Sequence, residues 1–185
     1  VAAIATEALG SDKVHGVSLP SKYSSDHSLE DAKDLTTTLG ISYEVIPIQA
    51  CVDEMEQTLK SCFSGHSPNV AEENIQSRIR GDILMALSNK FGWMVLSTGN
   101  KTELALGYCT LYGDMSGGLS VISDLSKTDV YTLAHWINSK YPGRIPIGSI
   151  KKSPSAELAP NQVDPFDYDI VSPLVDLIIE EGKTV

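Results

Sequence analysis

The apolar residues of the chain follow two periods that alternate along its length. Short continuous runs, typical of buried strands, occupy residues 14–19, 43–48, 93–96 and 119–122. Longer segments in which apolar residues recur every three or four positions, typical of amphipathic helices, occupy residues 28–39, 72–91 and 126–137. Because strands and helices alternate, the pattern predicts an α/β fold with a parallel sheet covered by helices on both faces.

The ends of the predicted helices carry their own signals. Gly40 and Gly92 directly follow two of the helical segments, where glycine commonly ends a helix. Ser28 and Ser126 are each followed three residues later by an aspartate, which resembles a capping box and predicts the start of a helix. Weaker patterns predict a helix over 1–9, irregular structure over 49–70, a loop over 141–165 and a last helix over 167–181.

Composition narrows the class of protein. The 185 residues are 42% hydrophobic and 21% charged, values typical of a single globular domain. A formal net charge of −10, with 14 scattered lysines and arginines, argues against a nucleic-acid-binding surface. No apolar stretch approaches the roughly 18 residues of a membrane span. The three cysteines lack metal-site spacing and are odd in number, so we expect neither zinc nor a disulfide framework, and we expect a cytoplasmic protein.

Candidate chemistry follows the third predicted strand, because ligands of open parallel sheets bind at the carboxyl ends of strands. The run Leu-Ser-Thr-Gly-Asn-Lys-Thr-Glu leaves that strand and enters a helix. Its residues Thr98, Gly99, Asn100 and Lys101 suit a phosphate, since glycine lets the backbone approach a ligand and the helix start offers free amides. Glu103 either complements the helix dipole or binds Mg²⁺, which takes one or two carboxylates together with phosphate oxygens.

Other polar residues stand at comparable positions. Asp114 lies among crowded glycines, which indicates either a close approach of the backbone to another group or a plain turn. Lys127 opens a helix, where its charge opposes the dipole, so a bound anion explains it better than stability does. Ser21 belongs to a hydroxyl-rich loop that suits a ribose or base, although ordinary surface turns have the same composition. Asn74 and Arg78, one helical turn apart, line either the crevice or its rim.

Five segments, taken in order, resemble NAD synthetase, in particular the synthetase domain of the glutamine-dependent form. They are Leu-Pro-Ser-Lys-Tyr-Ser-Ser, Glu-Glu-Asn-Ile-Gln-Ser-Arg-Ile-Arg-Gly, Ser-Thr-Gly-Asn-Lys-Thr-Glu, Tyr-Gly-Asp-Met-Ser-Gly-Gly and Lys-Ser-Pro-Ser-Ala-Glu-Leu. The resemblance covers nearly all of residues 1–185, which we expect to be one partial NAD synthetase domain. It implies a three-layer αβα, Rossmann-like fold of the adenine nucleotide alpha hydrolase type, with a five-stranded parallel sheet ordered 3-2-1-4-5.

The resemblance also implies an activity. ATP adenylates the nicotinate carboxylate of deamido-NAD and releases pyrophosphate, and ammonia then displaces AMP to form the amide of NAD. Mg²⁺ is the implied cofactor, and ATP is a co-substrate. The implied partners are a second copy of the chain in a homodimer and a glutaminase domain that supplies ammonia.

Roles for individual residues follow from the same resemblance. The implied catalytic residues are Glu103, Asp114 and Lys127, with Glu103 also the Mg²⁺ ligand. Ser155 takes the position of a phosphate-contacting threonine and keeps its hydroxyl group. The expected binding residues are Ser21, Asn74, Arg78, Thr98, Gly99, Asn100, Lys101, Glu103, Asp114, Lys127 and Ser155.

Family members carry a Ser-Gly-Gly-x-Asp-Ser loop that cradles the ATP phosphates, after a strand at the centre of the sheet. The resemblance places both before residue 1, and a further lysine-bearing segment after residue 185. We therefore expect two strand pairs with unpaired edges, an aggregation-prone arrangement, and no independent catalysis by these residues alone.

Two other functions stay open at this point. One is a non-catalytic nucleotide-binding or assembly module. The other is a related ligase or tRNA-modifying enzyme with the same loop chemistry; the acidic charge disfavours tRNA, and the segment Tyr-Gly-Asp-Met-Ser-Gly-Gly favours a dinucleotide.

Overall fold

Two pairs of parallel strands form the sheet layer in a computed structural model that describes residues 1–184. β1 (His15–Ser18) pairs with β2 (Ser42–Val45), and β3 (Leu96–Ser97) pairs with β4 (Leu119–Ser120). Within the described residues the two pairs form separate ladders. All four predicted strands are present, and each is shorter than its apolar run because ladder hydrogen bonds form only where a partner strand lies alongside.

Helices connect these strands, and α2 packs against both strands of the first pair. The helices are α1 (Ala2–Leu9), α2 (Asp26–Leu39), α3 (Gln49–Leu59), α4 (Val70–Phe91), α5 (Lys101–Leu106), α6 (Lys127–Lys140), α7 (Ile147–Lys151) and α8 (Tyr168–Ile179), with one 3₁₀ turn at Ser11–Lys13. The prediction of irregular structure over 49–70 was wrong for α3, and the predicted loop over 141–165 contains α7. Across residues 1–184, no helix combines the length and the apolar character that a membrane crossing requires.

The helix ends follow capping chemistry. Gly40 and Gly92 adopt the left-handed conformation directly after α2 and α4, as predicted, with φ of 66° and 70°. The predicted start of α2 at Ser28 was wrong by one turn: Ser25 is the N-cap, and its side chain accepts the N–H of Ser28 at 3.2 Å. Ser126 caps α6 as predicted, accepting the N–H of Asp129 at 3.2 Å.

The apolar core lies beside the first strand pair. One cluster joins α1, α2 and the start of β2 through Ala3, Leu39 and Ile41. A second cluster joins α3 to α4 through Ile48, Val52 and Ile79. These contacts fix α4, the longest helix, across the carboxyl ends of the strands, where a ligand of a parallel α/β fold binds.

Candidate active site

A cavity of about 660 Å³ opens beyond the carboxyl ends of β1 and β3. Its walls are the residues that follow those strands, one face of α4, the first turns of α5 and α6, and a segment that we name the strap (residues 152–164). The predicted site residues that line this cavity are Asn74, Thr98, Gly99, Glu103, Asp114, Lys127 and Ser155.

An ion pair between Glu103 and Lys127 occupies the cavity wall. The Lys127 Nζ lies 2.8 Å from Glu103 Oε1, and both side chains are largely buried. Glu103 also completes the capping box of α5, because its Oε2 accepts the N–H of Asn100 at 3.3 Å. The backbone N–H of Lys127 donates to Thr102 Oγ1 at 3.1 Å, which joins the start of α6 to α5. The carboxylate and the ammonium group are therefore held by backbone as well as by their mutual attraction.

Asp114 is fixed by hydrogen bonds to α4 and to its own turn. Its Oδ1 accepts the N–H of Thr110 at 2.7 Å and the hydroxyl of Ser77 at 3.2 Å. The Thr110 hydroxyl in turn donates to Asn74 Oδ1 at 2.7 Å. A Cβ at Gly113 would overlap Ser77, so only glycine lets this turn pack against the helix. The close approach predicted for the glycine-rich segment is thus an approach to α4.

The strap is attached to α2 through Glu157. Its carboxylate pairs with Lys152 and accepts the hydroxyls of Ser25 and Ser28 at 2.8 and 2.9 Å. Burial raises the pKa of Glu157, but the hydrogen bonds from Lys152, Ser25 and Ser28 outweigh it and lower that pKa below its usual value. Glu157 itself has a left-handed backbone, with φ of 51°. The charged network therefore holds the strap at the cavity wall and compensates for the strained backbone of Glu157.

Four predicted site residues lie outside the cavity lining. Ser21 is buried within its own loop, where its Oγ accepts the N–H of Tyr23 at 3.3 Å. Asn100 is a buried cap of α5. Arg78 donates from Nε to the carbonyl of the exposed residue Leu111 at 3.2 Å, in the turn that also contains Asp114.

Lys101, the fourth of these residues, contacts α8. Its Nζ lies 2.8 Å from a carboxylate oxygen of Asp176 and 2.8 Å from one of Glu180. Hydrogen bonds to Asp176 and then to Glu180 raise the pKa of Lys101 above its ordinary value. In this geometry the lysine joins α5 to the carboxyl-terminal end of α8.

The cavity also contains residues that the sequence had not suggested. Glu73, Ser77 and Arg80 line it from one face of α4, at the spacing of an amphipathic helix. The sequence carries a signal for these residues, because they form a polar stripe beside the isoleucine stripe of α4. The prediction from the sequence named Asn74 and Arg78 of this helix. Further lining residues that were not predicted include Tyr108, Cys109, Thr110, Glu157, Gln162 and Asp164.

The side chains that could coordinate a metal ion in the cavity can be compared with the predicted Mg²⁺ site. Among residues 1–184, no group of three or more histidine, cysteine, aspartate and glutamate side chains is arranged to hold a metal ion. Glu103 supplies one carboxylate to the cavity wall. Because Mg²⁺ commonly takes one or two protein carboxylates and completes its shell with water and phosphate oxygens, these residues fit Mg²⁺ that arrives with a phosphate ligand.

Parallel strands joined by helices, with a polar cavity at the strand ends, define an α/β protein of the class that binds its ligands at the carboxyl ends of the strands. Comparison with known families is more specific: the model of the NAD synthase family matches residues 1–185, and the chain belongs to that family.

Curated relatives agree with this assignment. The chain is 52% identical to the glutamine-dependent NAD(+) synthetase of Thermotoga maritima, over 98% of the chain and 32% of that protein. It is 50% identical to the enzyme of the same name from Synechocystis sp., over 100% of the chain and 33% of that protein. The chain therefore spans about a third of the length of these relatives.

Solved structures confirm the predicted fold. The glutamine-dependent NAD+ synthetase of Acinetobacter baumannii, in complex with ADP, is 40% identical, with a TM-score of 0.80 over 98% of this chain and 33% of that one. The NMN synthetase of Francisella tularensis is 25% identical, with a TM-score of 0.83 over 100% of this chain and 72% of that one. The fold is the adenine nucleotide alpha hydrolase-like α/β fold.

Proposed function

We propose that the polypeptide containing this chain is a glutamine-dependent NAD synthetase, which uses ATP and ammonia to amidate deamido-NAD. The observation that carries the proposal is the convergence of Asn74, Thr98, Glu103, Asp114 and Lys127 on one cavity. These residues come from four separate stretches of the sequence, and the sequence alone predicts each of them as a site residue. Membership of the NAD synthase family gives their convergence its chemical meaning.

The proposed reaction has two steps that balance. A nicotinate carboxylate oxygen bonds to the α-phosphorus of ATP as the bridging bond to the β-phosphate breaks, and pyrophosphate leaves. Ammonia then attacks the activated carbonyl carbon, AMP leaves with the electrons of the carbon–oxygen bond, and a proton is lost to yield the amide. Positioning and charge stabilisation account for most of such catalysis.

The residues of the cavity suit those two tasks. Lys127 supplies a positive charge beside a carboxylate that is itself fixed, so its ammonium group is held ready for phosphate oxygens. Asp114, with Oδ1 fixed by Thr110 and Ser77, is proposed to face the nicotinate end of the dinucleotide. Ser155 lies on the strap at the cavity wall, where its hydroxyl donates to the carbonyl of Gln162 at 2.6 Å; it is proposed to turn and donate to a phosphate when the nucleotide binds.

Mg²⁺ completes the proposal as the cofactor. Glu103 would hold it together with phosphate oxygens of ATP. When bound, the ion neutralises negative charge on the phosphates as pyrophosphate departs. Before the ion binds, the ion pair with Lys127 holds the Glu103 carboxylate in position.

Assembly and location are also part of the proposal. Leu111 and Tyr112, beside the cavity, are 62% and 79% exposed, which supports a homodimer in which this turn is covered by the second copy. The cysteines Cys51, Cys62 and Cys109 are free thiols, which supports a reducing cytoplasm. The glutaminase part of the same polypeptide would supply the ammonia.

The full-length polypeptide provides the test. Purified protein is incubated with ATP, Mg²⁺, ammonium and deamido-NAD, and NAD+, AMP and pyrophosphate are quantified. We expect equal amounts of the three products, and little amidation of nicotinate mononucleotide, the substrate class suggested by the Francisella tularensis relative. ATP binding without AMP formation would instead indicate a non-catalytic nucleotide-binding module.

A Glu103→Gln variant tests the role of the carboxylate. We expect kcat/KM to fall about 100-fold or more, because a charge that acts in the transition state is removed while the shape is kept. Glu54→Gln, at an exposed position of α3, is the matched control and should retain full activity. Unchanged activity in the Glu103 variant would remove the magnesium role assigned to this residue.

A further inference from the structure

The charges that line the cavity are mostly negative. Its carboxylates are Glu73, Glu103, Asp114, Glu157 and Asp164, and its cations are Arg80 and Lys127. A nucleotide carries several negative charges on its phosphates, so the few cations of such a cavity decide where the phosphates lie.

The two cations differ in their existing partners. Lys127 already forms an ion pair with Glu103 at 2.8 Å. Arg80 makes no ion pair with any carboxylate of residues 1–184. Within the described chain, Arg80 is therefore the cavity cation whose charge is free for a ligand.

The orientation of Arg80 is fixed from one end of its guanidinium group. Its Nε donates to the carbonyl of Leu19 at 2.9 Å, in the segment that follows β1. The two terminal nitrogens are then left for other acceptors, with little conformational freedom to lose on binding. Burial lowers the pKa of Arg80, partly offset by the charge of Glu157, so the protein around it solvates the cation poorly and a bound anion would replace the lost water.

We propose that Arg80 binds the phosphate groups of the nucleotide in this cavity, as a two-pronged donor held in place by the Leu19 carbonyl. The planar guanidinium matches phosphate oxygens in pairs, which an ammonium group does not. The proposal rests on the proposed function only in taking ATP as the nucleotide. It assigns to the cavity a phosphate contact from α4, in addition to Lys127 and Ser155.

Calorimetric titration of the full-length polypeptide with ATP and with adenosine tests this contact. Arg80→Met should weaken ATP binding about tenfold or more and leave adenosine binding unchanged, because only ATP carries the phosphates. Arg80→Lys should restore part of the ATP affinity, since it keeps the charge but loses the paired geometry. Arg144→Met is the matched control: Arg144 lies outside the cavity lining and contacts Glu7 and Tyr141, so its removal should change neither titration.

Each other outcome has a definite meaning. Equal losses for ATP and adenosine would show that Arg80 only supports the loop at Leu19, and unchanged ATP binding would remove the contact; either result overturns the proposal. Unmodified protein that binds ATP but forms no NAD+ would contradict the proposed function and leave this test intact. If Arg80→Met does not fold, Arg80→Lys decides: its ATP affinity must fall while its adenosine affinity and melting temperature stay unchanged.

Discussion

The two strand pairs of this fold are stabilised in different ways. Beside β1 and β2 the most deeply buried side chains are apolar, with Ile48 at 0% and Val52 at 1% exposure. Beside β3 and β4 they are hydroxyl groups: Thr102 and Ser172 are 0% exposed and Ser126 is 1% exposed. A buried hydroxyl group that lacks a hydrogen bond costs free energy. The stability of the second region therefore depends on the direction of its hydrogen bonds as well as on how many contacts it makes.

Thr102 shows what the hydroxyl groups achieve. Its Oγ1 lies 3.1 Å from Ser172 Oγ of α8 and accepts the backbone N–H of Lys127 at 3.1 Å. Three helices thus meet at one side chain, directly beside the pair of Glu103 and Lys127. Apolar packing in the first region fixes the relative positions of the helices, which we call the frame. Hydrogen bonds in the second region fix the orientation of the charged groups. Hydrogen bonds are suited to that role because they have preferred angles and dispersion contacts do not.

Ile48→Ala tests the apolar region and should have the largest effect on stability. Removing three methyl or methylene carbons from a fully buried site leaves a cavity, and the expected loss is about 2–5 kcal/mol in the free energy of unfolding. Denaturant unfolding of the full-length polypeptide measures it, and kcat/KM of the folded fraction should stay near the unmodified value. Ile147→Ala, at a residue 56% exposed, is the control and should cost less than about 0.5 kcal/mol.

One result for Ile48→Ala would contradict the distinction between the apolar region and the hydroxyl region. If kcat/KM falls in proportion to the loss of stability, the frame and the charged groups are mechanically coupled. The distinction between the two regions would then be one of composition only.

Thr102→Val tests the hydroxyl region and should affect stability and activity together. Valine keeps the shape but leaves the Ser172 hydroxyl and the Lys127 N–H without this partner, which costs about 1–3 kcal/mol. Because the start of α6 loses one of its hydrogen bonds to α5, beside the pair of Glu103 and Lys127, we also expect a lower kcat/KM. Thermal unfolding and steady-state kinetics measure the two effects, and Thr102→Ser should restore both. Thr38→Val, at an exposed position of α2, is the matched control.

The comparison also explains what could be read from the sequence. Gly40, Gly92 and the capping residue Ser126 act within a few residues of their own position, so local signals predicted them correctly. The strands were recognisable because each contains or adjoins a continuous apolar run, although most of their residues are partly or fully exposed within residues 1–184. α3 was missed because it lacks the end signals of α2 and α4: Ile48 precedes it without a side-chain cap, and Lys60 rather than a glycine follows it.

The positions of cavity residues depend on contacts between distant segments. Arg80 and Arg78 are the same residue type and lie two residues apart, and only the packing of α4 decides that Arg80 lines the cavity. Lys101 lies in a run of residues that suits phosphate binding, yet its ion-pair partners lie in or just after α8, more than seventy residues away along the chain. Spacing within one helix cannot distinguish such cases, because the direction of a helix face is set by what packs against it.

The smallest predicted effect concerns the strap, which is attached to α2, beside the first strand pair, through charge. Glu157 pairs with Lys152 and accepts two hydroxyls at the start of α2. Glu157→Gln should cost about 1 kcal/mol at neutral pH, because the partly exposed ion pair and its charged hydrogen bonds weaken while the shape stays the same. Glu30→Gln, at an exposed position of α2, should cost nothing measurable and is the control.

The lowered pKa of Glu157 determines how its contribution to the free energy of unfolding changes with pH. The folded protein lowers the pKa of Glu157 below its ordinary value of 4.5, so the unfolded chain takes up the proton first as the pH falls. The stabilisation is therefore complete above that value and is lost as the pH falls through the lower pKa of the folded state. Unfolding free energies measured from pH 7 down to the acid limit should converge for the unmodified protein and Glu157→Gln. Parallel curves would mean that the strap is attached to α2 by its shape alone and that the charge of Glu157 adds nothing to this attachment.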